Sequence, residues 1–292
     1  LVDRLAIMRT KLLAARSQRV RPMTDEKALV SWNALMAKAL CEAYEVFGEK
    51  PWLELAERNM DLMLERCAQA NGGLWHSYKD GKAHINGYLE DYATMIEALV
   101  TLYGITFDEQ RLRMAQGLAE HAIRHFLDES TGFFHFTSNL DPPLMARPME
   151  IHDNVMPASN SVMAKALHHL GILLDIDRYK QLSARMLGAM LPRMQAYPTG
   201  HSNWAQLALC HAYCYYEIAL TGPGAMELRE GFRDHYVPSR IFLGCTSTSD
   251  LPLLKHRMLP GNLVHVCMEG SCRLPVPTVA EALSQIKWNE KP

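Results

Sequence analysis

The chain has 292 residues, 48% of them hydrophobic, and its 30 basic and 32 acidic side chains leave a formal charge of −2 at pH 7. That balance gives no overall field that would draw the chain to nucleic acid or to a membrane surface. No apolar run approaches the ~18 residues of a membrane span, and we expect no signal peptide because the first residues are charged. We expect a globular, cytoplasmic protein with a sizeable core and with no nucleic-acid or membrane partner.

Helical periodicity runs from residue 1 to about residue 220 and takes two forms. Segments that are apolar almost all round predict buried helices at 30–47, 91–106, 160–174 and 203–219. Amphipathic segments predict half-exposed helices at 52–67, 109–127 and 177–194. Two concentric rings of helices require this alternation, so we predict a mainly α fold of the α/α toroid type. Because the helical pattern is present from Leu1, we expect the chain to be a fragment of something longer.

Two sequence repeats support this fold. The pattern Asn-x-x-Met-Ala-Lys-Ala-Leu occurs at 33–40 and again, 127 residues later, at 160–167. The connections repeat as well, since 71–76 and 130–135 each place a glycine before an aromatic residue and a histidine. Repeated units put equivalent positions on one rim of a fold, where polar residues can form a single site.

The character of the chain changes after the Thr-Gly-Pro-Gly turn at 221–224, where short strands are predicted at 240–244 and 263–267. A final helix at 278–288 is expected to return to the helical body. The predicted units are toroid hairpins at 1–220, a small α/β insertion at 221–270 and a C-terminal part at 271–292.

Polar residues gather where the buried helices begin. If the hairpins form a ring, these starts line one cavity, in which free N–H groups can hold hydroxyls or anions. Capping is the alternative, because Ser, Asp and Asn are preferred N-caps worth about 1 kcal/mol each. Capping does not explain Trp32, or Glu90 beside Asp91. The candidate catalytic residues are Asp91, Asp153 and His152, and the candidate substrate-binding residues are Trp32, Asn33, Glu90, Tyr92, Ser159, Asn160 and His201.

Two kinds of proton chemistry suit these residues. Asp91 and Asp153 are the natural acid/base pair, since two carboxylates across a sugar carry out glycoside hydrolysis. Proton abstraction beside a carbonyl would suit a histidine instead. The loop histidines available for it are His76, His135, His152 and His201. We expect Asp91→Asn to abolish binding or turnover and to change stability by less than roughly 1 kcal/mol, because Asn caps a helix about as well as Asp.

The cysteines fall into two groups. Four lie in helical apolar patterns, which predicts reduced core residues: Cys41, Cys67, Cys210 and Cys214. Cys267 and Cys272 are expected close together in a turn before Pro275. Their spacing suits free thiols, a disulfide or a metal, and we favour free thiols because no second ligand pair accompanies them. We predict no metal and no other cofactor.

Four motifs occur in a fixed order along almost the whole chain. They are Arg16-x-x-Arg19-x-x-Pro22-x-x-Asp25-x-Lys27 before Ser31-Trp32-Asn33, Leu89-Glu90-Asp91-Tyr92-Ala93, Asp153 before Pro157-x-Ser159-Asn160-Ser161, and Cys267-x4-Cys272-x-x-Pro275. Together they resemble the spermatogenesis-associated protein 20 family of thioredoxin-domain-containing proteins. The resemblance implies an N-terminal thioredoxin-like domain, which this chain does not include, followed by an (α/α)6 toroid similar to those of N-acylglucosamine 2-epimerases and certain glycosidases. About four of six hairpins can be counted here, so we expect an incomplete ring.

These observations lead to two hypotheses about function. The first is a carbohydrate-binding, sugar-converting module, acting by epimerisation or hydrolysis on a small-molecule sugar. The second is a non-catalytic scaffold, whose rim binds a thioredoxin-like domain on the same polypeptide. A sugar site requires convergent carboxylates and stacked aromatics, whereas a docking surface requires exposed apolar residues.

Overall fold

The computed structural model describes residues 1–142, 145–255, 257 and 259–287. The helices are α1 (Val2–Ser17), α2 (Val30–Phe47), α3 (Lys50–Cys67), α4 (Leu89–Thr106), α5 (Glu109–Phe126), α6 (Ser159–Leu173), α7 (Asp177–Ala196), α8 (Ser202–Ala212), α9 (Ala225–Gly231) and α10 (Val279–Gln285). The strands are β1 (Ala28–Leu29), β2 (Trp75–Lys79), β3 (Lys82–Asn86), β4 (Tyr216–Thr221), β5 (Arg240–Cys245), β6 (Leu263–Met268) and β7 (Ser271–Cys272).

The alternation of two helix types produces two layers. Helices α2, α4, α6 and α8 lie side by side as an inner layer, and α3, α5 and α7 each pack against the inner helix that precedes them. The amphipathic outer helices bury one face, for example Ala56, Met60 and Met63 of α3. The predicted α/α toroid architecture is confirmed as an open set of helical hairpins.

The position of a helix in the inner layer decides how much of it is buried. Helices α4 and α6 have inner neighbours on both sides and are buried nearly all round. Helix α2 was expected to be buried all round, but it lies at one end of the layer, so Trp32, Met36 and Phe47 are exposed. Helix α1 contains no buried residue, so the apolar side of this predicted amphipathic helix faces solvent.

Tight links explain how each hairpin turns. Helix α2 ends at Gly48, whose φ of 73° is in the left-handed region that glycine adopts without steric cost. Helix α4 ends at Phe107, also left-handed, and the next residue, Asp108, caps α5 by accepting the N–H of Gln110. Because these links are so short, consecutive helices run antiparallel, and all inner helices begin at the same end of the layer.

The repeated connections have the same backbone path. Gly72 and Gly132 have φ values of 85° and 80°. The residues two places later, Leu74 and Phe134, each form a bridge back to the chain just after the preceding outer helix, and both are fully buried. The sequence repeat of the two connections therefore corresponds to a shared backbone geometry.

A β-hairpin that we did not predict precedes α4. Strands β2 and β3 pair antiparallel around Asp80 and Gly81, whose φ values of 51° and 78° suit a tight two-residue turn. The Asp-Gly dipeptide was the signal for this turn. Strand β1 adds to the free edge of β2, so the segment leading into α2 is joined to the hairpin leading into α4.

The C-terminal unit contains a four-stranded sheet in the order β5-β4-β6-β7, in which β4 and β5 are parallel and the other pairs antiparallel. The strands predicted at 240–244 and 263–267 are confirmed. The helix predicted over 203–219 is wrong beyond Ala212, because β4 occupies Tyr216–Thr221. A short, fully buried apolar run cannot be assigned to helix or strand from periodicity alone. The predicted boundary at residue 221 falls at the end of β4, and the last residue of the helix predicted over 278–288 lies outside the described residues.

The cysteine prediction is corrected at one pair. Cys267 and Cys272 face each other across β6 and β7 and form a disulfide, so the free thiols that we expected are wrong. Glu269 and Gly270 make the left-handed two-residue turn that brings the strands together. The other five cysteines are outside any disulfide. In the part of the chain that is described, no helix is long and apolar enough to cross a membrane.

Candidate functional site

The start of α4 contains a fully buried carboxylate. Asp91, in the first turn, accepts the N–H of Tyr88 at 2.9 Å, and its other oxygen accepts the N–H of Ser31 at the start of α2, at 3.0 Å. One side chain therefore satisfies free N–H groups of two neighbouring inner helices. Asp91 is the N3 residue of a capping box whose N-cap is Tyr88, so it has a capping role, and it also joins α4 to α2.

A histidine from the hairpin completes the hydrogen bonds of Asp91. His76 on β2 donates from Nδ1 to Asp91 Oδ2 at 2.9 Å. The Tyr88 ring lies 4.8 Å from the imidazole and is itself stacked on Phe136, which fixes the orientation of the imidazole. The hydrogen bond to Asp91 raises the pKa of His76, although burial opposes it. With Nδ1 bound, Nε2 of the neutral imidazole is left as the basic nitrogen.

The charge balance of this pair depends on burial. Burial raises the pKa of the Asp91 carboxyl, and His76 and the two backbone N–H groups offset part of this effect. Glu90 is half-buried beside the pair, and its own pKa is raised by burial and by the negative charge of Asp91. The three residues thus combine a strengthened base with a carboxyl group that holds its proton to a higher pH than usual.

The same three residues are the one group of potential ligands in the described chain whose donor atoms all lie within 4.8 Å of one another. A cation would have to compete for Asp91, because both of its oxygens already accept backbone N–H groups. The arrangement of His76 and Asp91 is complete as a proton-transfer pair without one. The absence of a metal therefore stays a prediction.

Asp153 has the equivalent role at the junction of α6 and α8. It accepts the N–H of Ala158 and the hydroxyl of Ser161 on one oxygen, and the N–H of Asn203 at the start of α8 on the other, at 2.9, 2.7 and 2.9 Å. The structure therefore gives Asp91 and Asp153 separate sets of partners at separate junctions. The hypothesis that the two form one acid/base pair has no contact to support it.

The candidate base His152 lies on the Asp153 side. Its Nδ1 is 3.0 Å from Nε2 of buried His201, whose own Nδ1 donates to the backbone oxygen of Tyr197 at 2.8 Å. Because His201 must carry its proton on Nδ1, His152 is the donor in the pair. His152 is thus paired with an imidazole and not with a carboxylate, and the structure points to His76 as the base instead.

Three predicted substrate-binding residues hold the fold together. The Tyr92 hydroxyl accepts the N–H of Leu74, and the Asn160 amide accepts the N–H of Phe134, so each inner helix fixes one of the repeated loops. Both side chains are fully buried. Asn33 donates to the backbone oxygen of Leu29 and accepts from an asparagine of α3. Burial leaves Tyr92 and Asn160 no surface for a substrate, whereas half-buried Asn33 stays a predicted substrate-binding residue.

Two further candidates retain free surface or free hydrogen-bonding capacity. Trp32 is 60% exposed in the first turn of α2, next to Ser31 and therefore close to Asp91. Ser159 donates its N–H to Glu150, and its buried hydroxyl has no partner within the described residues. A substrate role for both stays a prediction, as it does for Glu90 and His201.

Sequence reasoning missed charged residues further along the inner helices. Lys38 of α2 and Lys165 of α6 both contact Glu97 of α4. The signal was present, because a lysine recurs at the same position of both repeats inside otherwise apolar helices. His76 was recognised as a loop histidine, but its pairing with Asp91 depends on a hairpin that the sequence analysis did not identify.

No family model matches the chain. Over 93% of its length it aligns with spermatogenesis-associated protein 20 of Homo sapiens and of Rattus norvegicus, at 24% identity to each. The resemblance to that family is confirmed. The chain is also 26% identical, over 63% of its length, to the uncharacterized protein B0495.5 of Caenorhabditis elegans. It spans 37% of the length of the human and rat proteins and 26% of the nematode protein.

Solved structures similar to the chain include the GH76 α-mannanase BT2949 of Bacteroides thetaiotaomicron, with a TM-score of 0.49 and 17% identity over 59% of this chain and 47% of that one. Cellobiose 2-epimerase of Bacillus thermoamylovorans B4167 has a TM-score of 0.47 and 15% identity over 57% of this chain and 45% of that one. Structural similarity at this level does not show that this chain has the activity of either enzyme.

Proposed function

We propose that the starts of α2 and α4 bind a neutral sugar and that His76, oriented by Asp91, moves a proton on the carbon next to its carbonyl group. The chain would then be a sugar-binding, epimerase-like module. The observation that carries this proposal is the hydrogen bond between His76 and fully buried Asp91, with half-buried Glu90 beside it. A base held in one orientation next to a carboxyl whose pKa is raised by burial is the combination that enolisation needs.

The proposed reaction uses two proton transfers. The C–H proton next to the carbonyl moves to Nε2 of His76, while the proton of Glu90 moves to the carbonyl oxygen, which gives a neutral enediol. Return of a proton to the carbon, and of the hydroxyl proton to Glu90, regenerates the aldehyde. Inversion at that carbon requires protonation of the opposite face, which water supplies while His76 releases its proton to solvent. Asp91 stays ionised and stabilises the imidazolium, so it is a positioning residue.

Hydrolysis by Asp91 and Asp153 has less support. Both oxygens of Asp91 accept backbone N–H groups, and Asp153 is held in the same way at another junction. A glycosidase acid or nucleophile must approach the glycosidic bond with a free carboxyl oxygen. Glu90 alone has such freedom at the α4 start, and one carboxyl does not make the pair that hydrolysis requires.

Trp32 supplies the contact face for the sugar in this proposal. Its ring is exposed at the start of α2, where a sugar could place its C–H surface against it. An exposed tryptophan beside a buried polar cluster fits carbohydrate better than it fits a capping role. Trp32→Ala should therefore weaken sugar binding without altering the His76–Asp91 pair.

Saturation-transfer NMR with a panel of neutral reducing sugars tests this function. We expect transfer to at least one sugar in the wild type, and loss of that transfer in Trp32→Ala and Glu90→Gln. The matched control is His84→Gln, which changes an exposed histidine on the neighbouring strand β3. Absence of binding to any sugar, or binding that is unchanged in Trp32→Ala and Glu90→Gln, would reject the proposal.

One observation favours the second candidate, a scaffold that binds a thioredoxin-like domain of the same polypeptide. Helix α1 exposes apolar side chains, among them Leu12 and Leu13, and buries none. If α1 is the docking surface, Leu12→Ser with Leu13→Ser should weaken binding of that domain, measured by calorimetry on separately prepared parts. Sugar binding without any such association would favour the first candidate.

A further inference from the structure

Three inner helices carry the same apolar stripe. In each helix a methionine is followed by apolar residues three, seven and ten places later, and this spacing puts the four side chains on one face. The stripe consists of Met36, Ala39, Ala43 and Val46 in α2, of Met95, Ala98, Leu102 and Ile105 in α4, and of Met163, Ala166, Leu170 and Leu173 in α6.

The structure fixes the register of these three stripes. Two residues after the methionine, each helix carries a charged side chain, which is Lys38, Glu97 or Lys165. Both lysines contact Glu97, at 3.3 and 2.9 Å, so the three positions lie at the same height in the inner layer. The stripes are therefore equivalent in space as well as in sequence.

Burial distinguishes the stripe of α2 from the other two. In α4 and α6 no stripe residue is more than 3% exposed, because these helices have inner neighbours on both sides. In α2, by contrast, Met36 is 58% and Val46 is 71% exposed. Ala37, which α2 does bury, is turned by about 200° from Ala39. Within the described residues, the stripe is thus a helix–helix interface in α4 and α6 and an uncovered face in α2.

Helix α1 lacks a neighbour of the same kind. The other outer helices, α3, α5 and α7, each pack against the inner helix that precedes them in the chain. Helix α1 leads into an inner helix, as they do, but it buries no residue and exposes Leu5, Met8 and Leu12 at the spacing of one helical face. One additional inner helix would therefore cover both α1 and the stripe of α2.

We propose that the stripe of α2 binds the inner helix of one more hairpin, that α1 is the outer helix of this hairpin, and that the inner helix precedes α1 in the same polypeptide. The order of inner helix, outer helix and next inner helix is the one found from α2 to α8. The chain spans 37% of the length of its human and rat relatives, so a protein of their length has sequence to supply such a helix. The proposal concerns the side of α2 and is independent of sugar binding at its start.

The stripe specifies the kind of helix that it binds. It is uncharged over about three helical turns, so its partner must present an apolar face. Ala39 has a counterpart in Ala98 and in Ala166, and a small residue at this position lets two helix axes approach closely. A large or charged side chain at residue 39 should therefore prevent the additional helix from docking.

A second copy of the chain is the alternative occupant, and the size of the surface disfavours it. A stable complex between separate proteins involves about 20–30 residues on each side. The stripe and the apolar face of α1 together offer seven, which are Met36, Ala39, Ala43 and Val46 with Leu5, Met8 and Leu12. A covalently connected helix does not need so large an interface, because the connection keeps it at a high effective concentration.

Thiol labelling tests the proposal. Ala39→Cys and Val46→Cys are each compared in the 292-residue chain, in a form extended upstream of Leu1 by about 40 residues, and in the full-length protein. The extension is long enough for a helix of 18 residues, as in α2, with its links. Maleimide labelling, followed by mass spectrometry of the modified peptide, should be fast in the 292-residue chain and about tenfold slower or more in both longer forms.

Leu191→Cys is the matched control. Leu191 is exposed on α7, which packs against α6 and not against α2. Its thiol should therefore be labelled at one rate in all three forms, and circular dichroism checks that every variant is folded.

The melting temperature of Ala39→Glu gives a second measurement. In the 292-residue chain the substitution should change the melting temperature by no more than about 1 °C, because residue 39 is exposed there. In the extended form it should lower the melting temperature by about 2–4 °C or more, because a charge is then buried without a partner. Leu191→Glu should have the same effect in both forms.

Three outcomes would overturn the proposal. Equal labelling of residues 39 and 46 in all three forms would show that nothing covers the stripe. Protection of the 292-residue chain that grows with protein concentration would identify a second copy as the occupant. Protection in the full-length protein but not in the extended form would identify a separate domain as the occupant, as the scaffold hypothesis requires.

Discussion

Asp91 and Asp153 each join the starts of two inner helices through backbone hydrogen bonds, but the two carboxylates differ in burial and in their side-chain partners. Each aspartate accepts N–H groups from its own segment and from the first turn of another inner helix, through Ser31 in one case and Asn203 in the other. Only Asp91 is fully buried and paired with a histidine. The comparison teaches that a polar helix start is structural by default and becomes a candidate for chemistry when a titratable partner joins it.

The largest effect should follow Asp91→Asn. The new amide group cannot accept the Tyr88 N–H, and a buried donor without a partner costs about 1–3 kcal/mol. We therefore expect the free energy of unfolding in urea to fall by about that much, more than the 1 kcal/mol that capping alone predicted. A loss close to zero would show that the junction can rearrange around residue 91.

Asp153→Asn should have a smaller effect. The carboxylate is half-buried, so water can satisfy the Asn203 N–H that loses its acceptor. We expect a loss of about 0.5–1.5 kcal/mol in the same urea experiment. If the two substitutions cost the same, the difference in burial between the junctions is not what sets their stability.

The pKa of His76 gives the smallest but most specific contrast. The wild-type value should lie above 6.5, because Asp91 stabilises the imidazolium. In Asp91→Asn the pKa of His76 should fall below 6.5, because burial and Lys27 then outweigh the remaining effect of Glu90, and Asp153→Asn should leave it unchanged. NMR titration of the His76 ring protons measures all three values.

The sign of this shift fixes a pH dependence of stability. A raised pKa in the folded state means that the pair contributes its full stabilisation below the unfolded value of 6.5, and loses it as the pH rises through the folded value. His76→Gln should therefore flatten the stability profile over that interval. An unchanged profile would mean that His76 and Asp91 do not share charge.

Much of the fold could be predicted because its signals are local. The alternation of apolar and amphipathic helices and the glycine turns depend on neighbouring residues, and so do strands β5 and β6. The prediction failed at β4, because a short apolar run has the same pattern in a buried helix and in a buried strand. Residue types at helix starts indicated a candidate region, but not which side chains face outward. Tyr92 and Asn160 turn inward because each holds a loop from an earlier part of the chain.

The hydrogen bond between His76 and Asp91 could not be predicted, because it depends on contacts between distant parts of the chain. His76 reaches Asp91 because an Asp-Gly turn folds β2 and β3 back toward α4, and the orientation of the imidazole depends on Tyr88 and Phe136. His152 lies in an equally polar loop and was one of the loop histidines available for proton abstraction. Its partner, His201, is 49 residues away.

Hydrogen–deuterium exchange into reducing sugars in D2O tests the central claim most directly. NMR of the recovered sugar measures solvent deuterium at the carbon next to the carbonyl. The account predicts exchange catalysed by the wild type and by His152→Gln, and a rate lower by about 100-fold or more in His76→Gln. The absence of catalysed exchange in the wild type, or a loss in His152→Gln while His76→Gln keeps its activity, would contradict it.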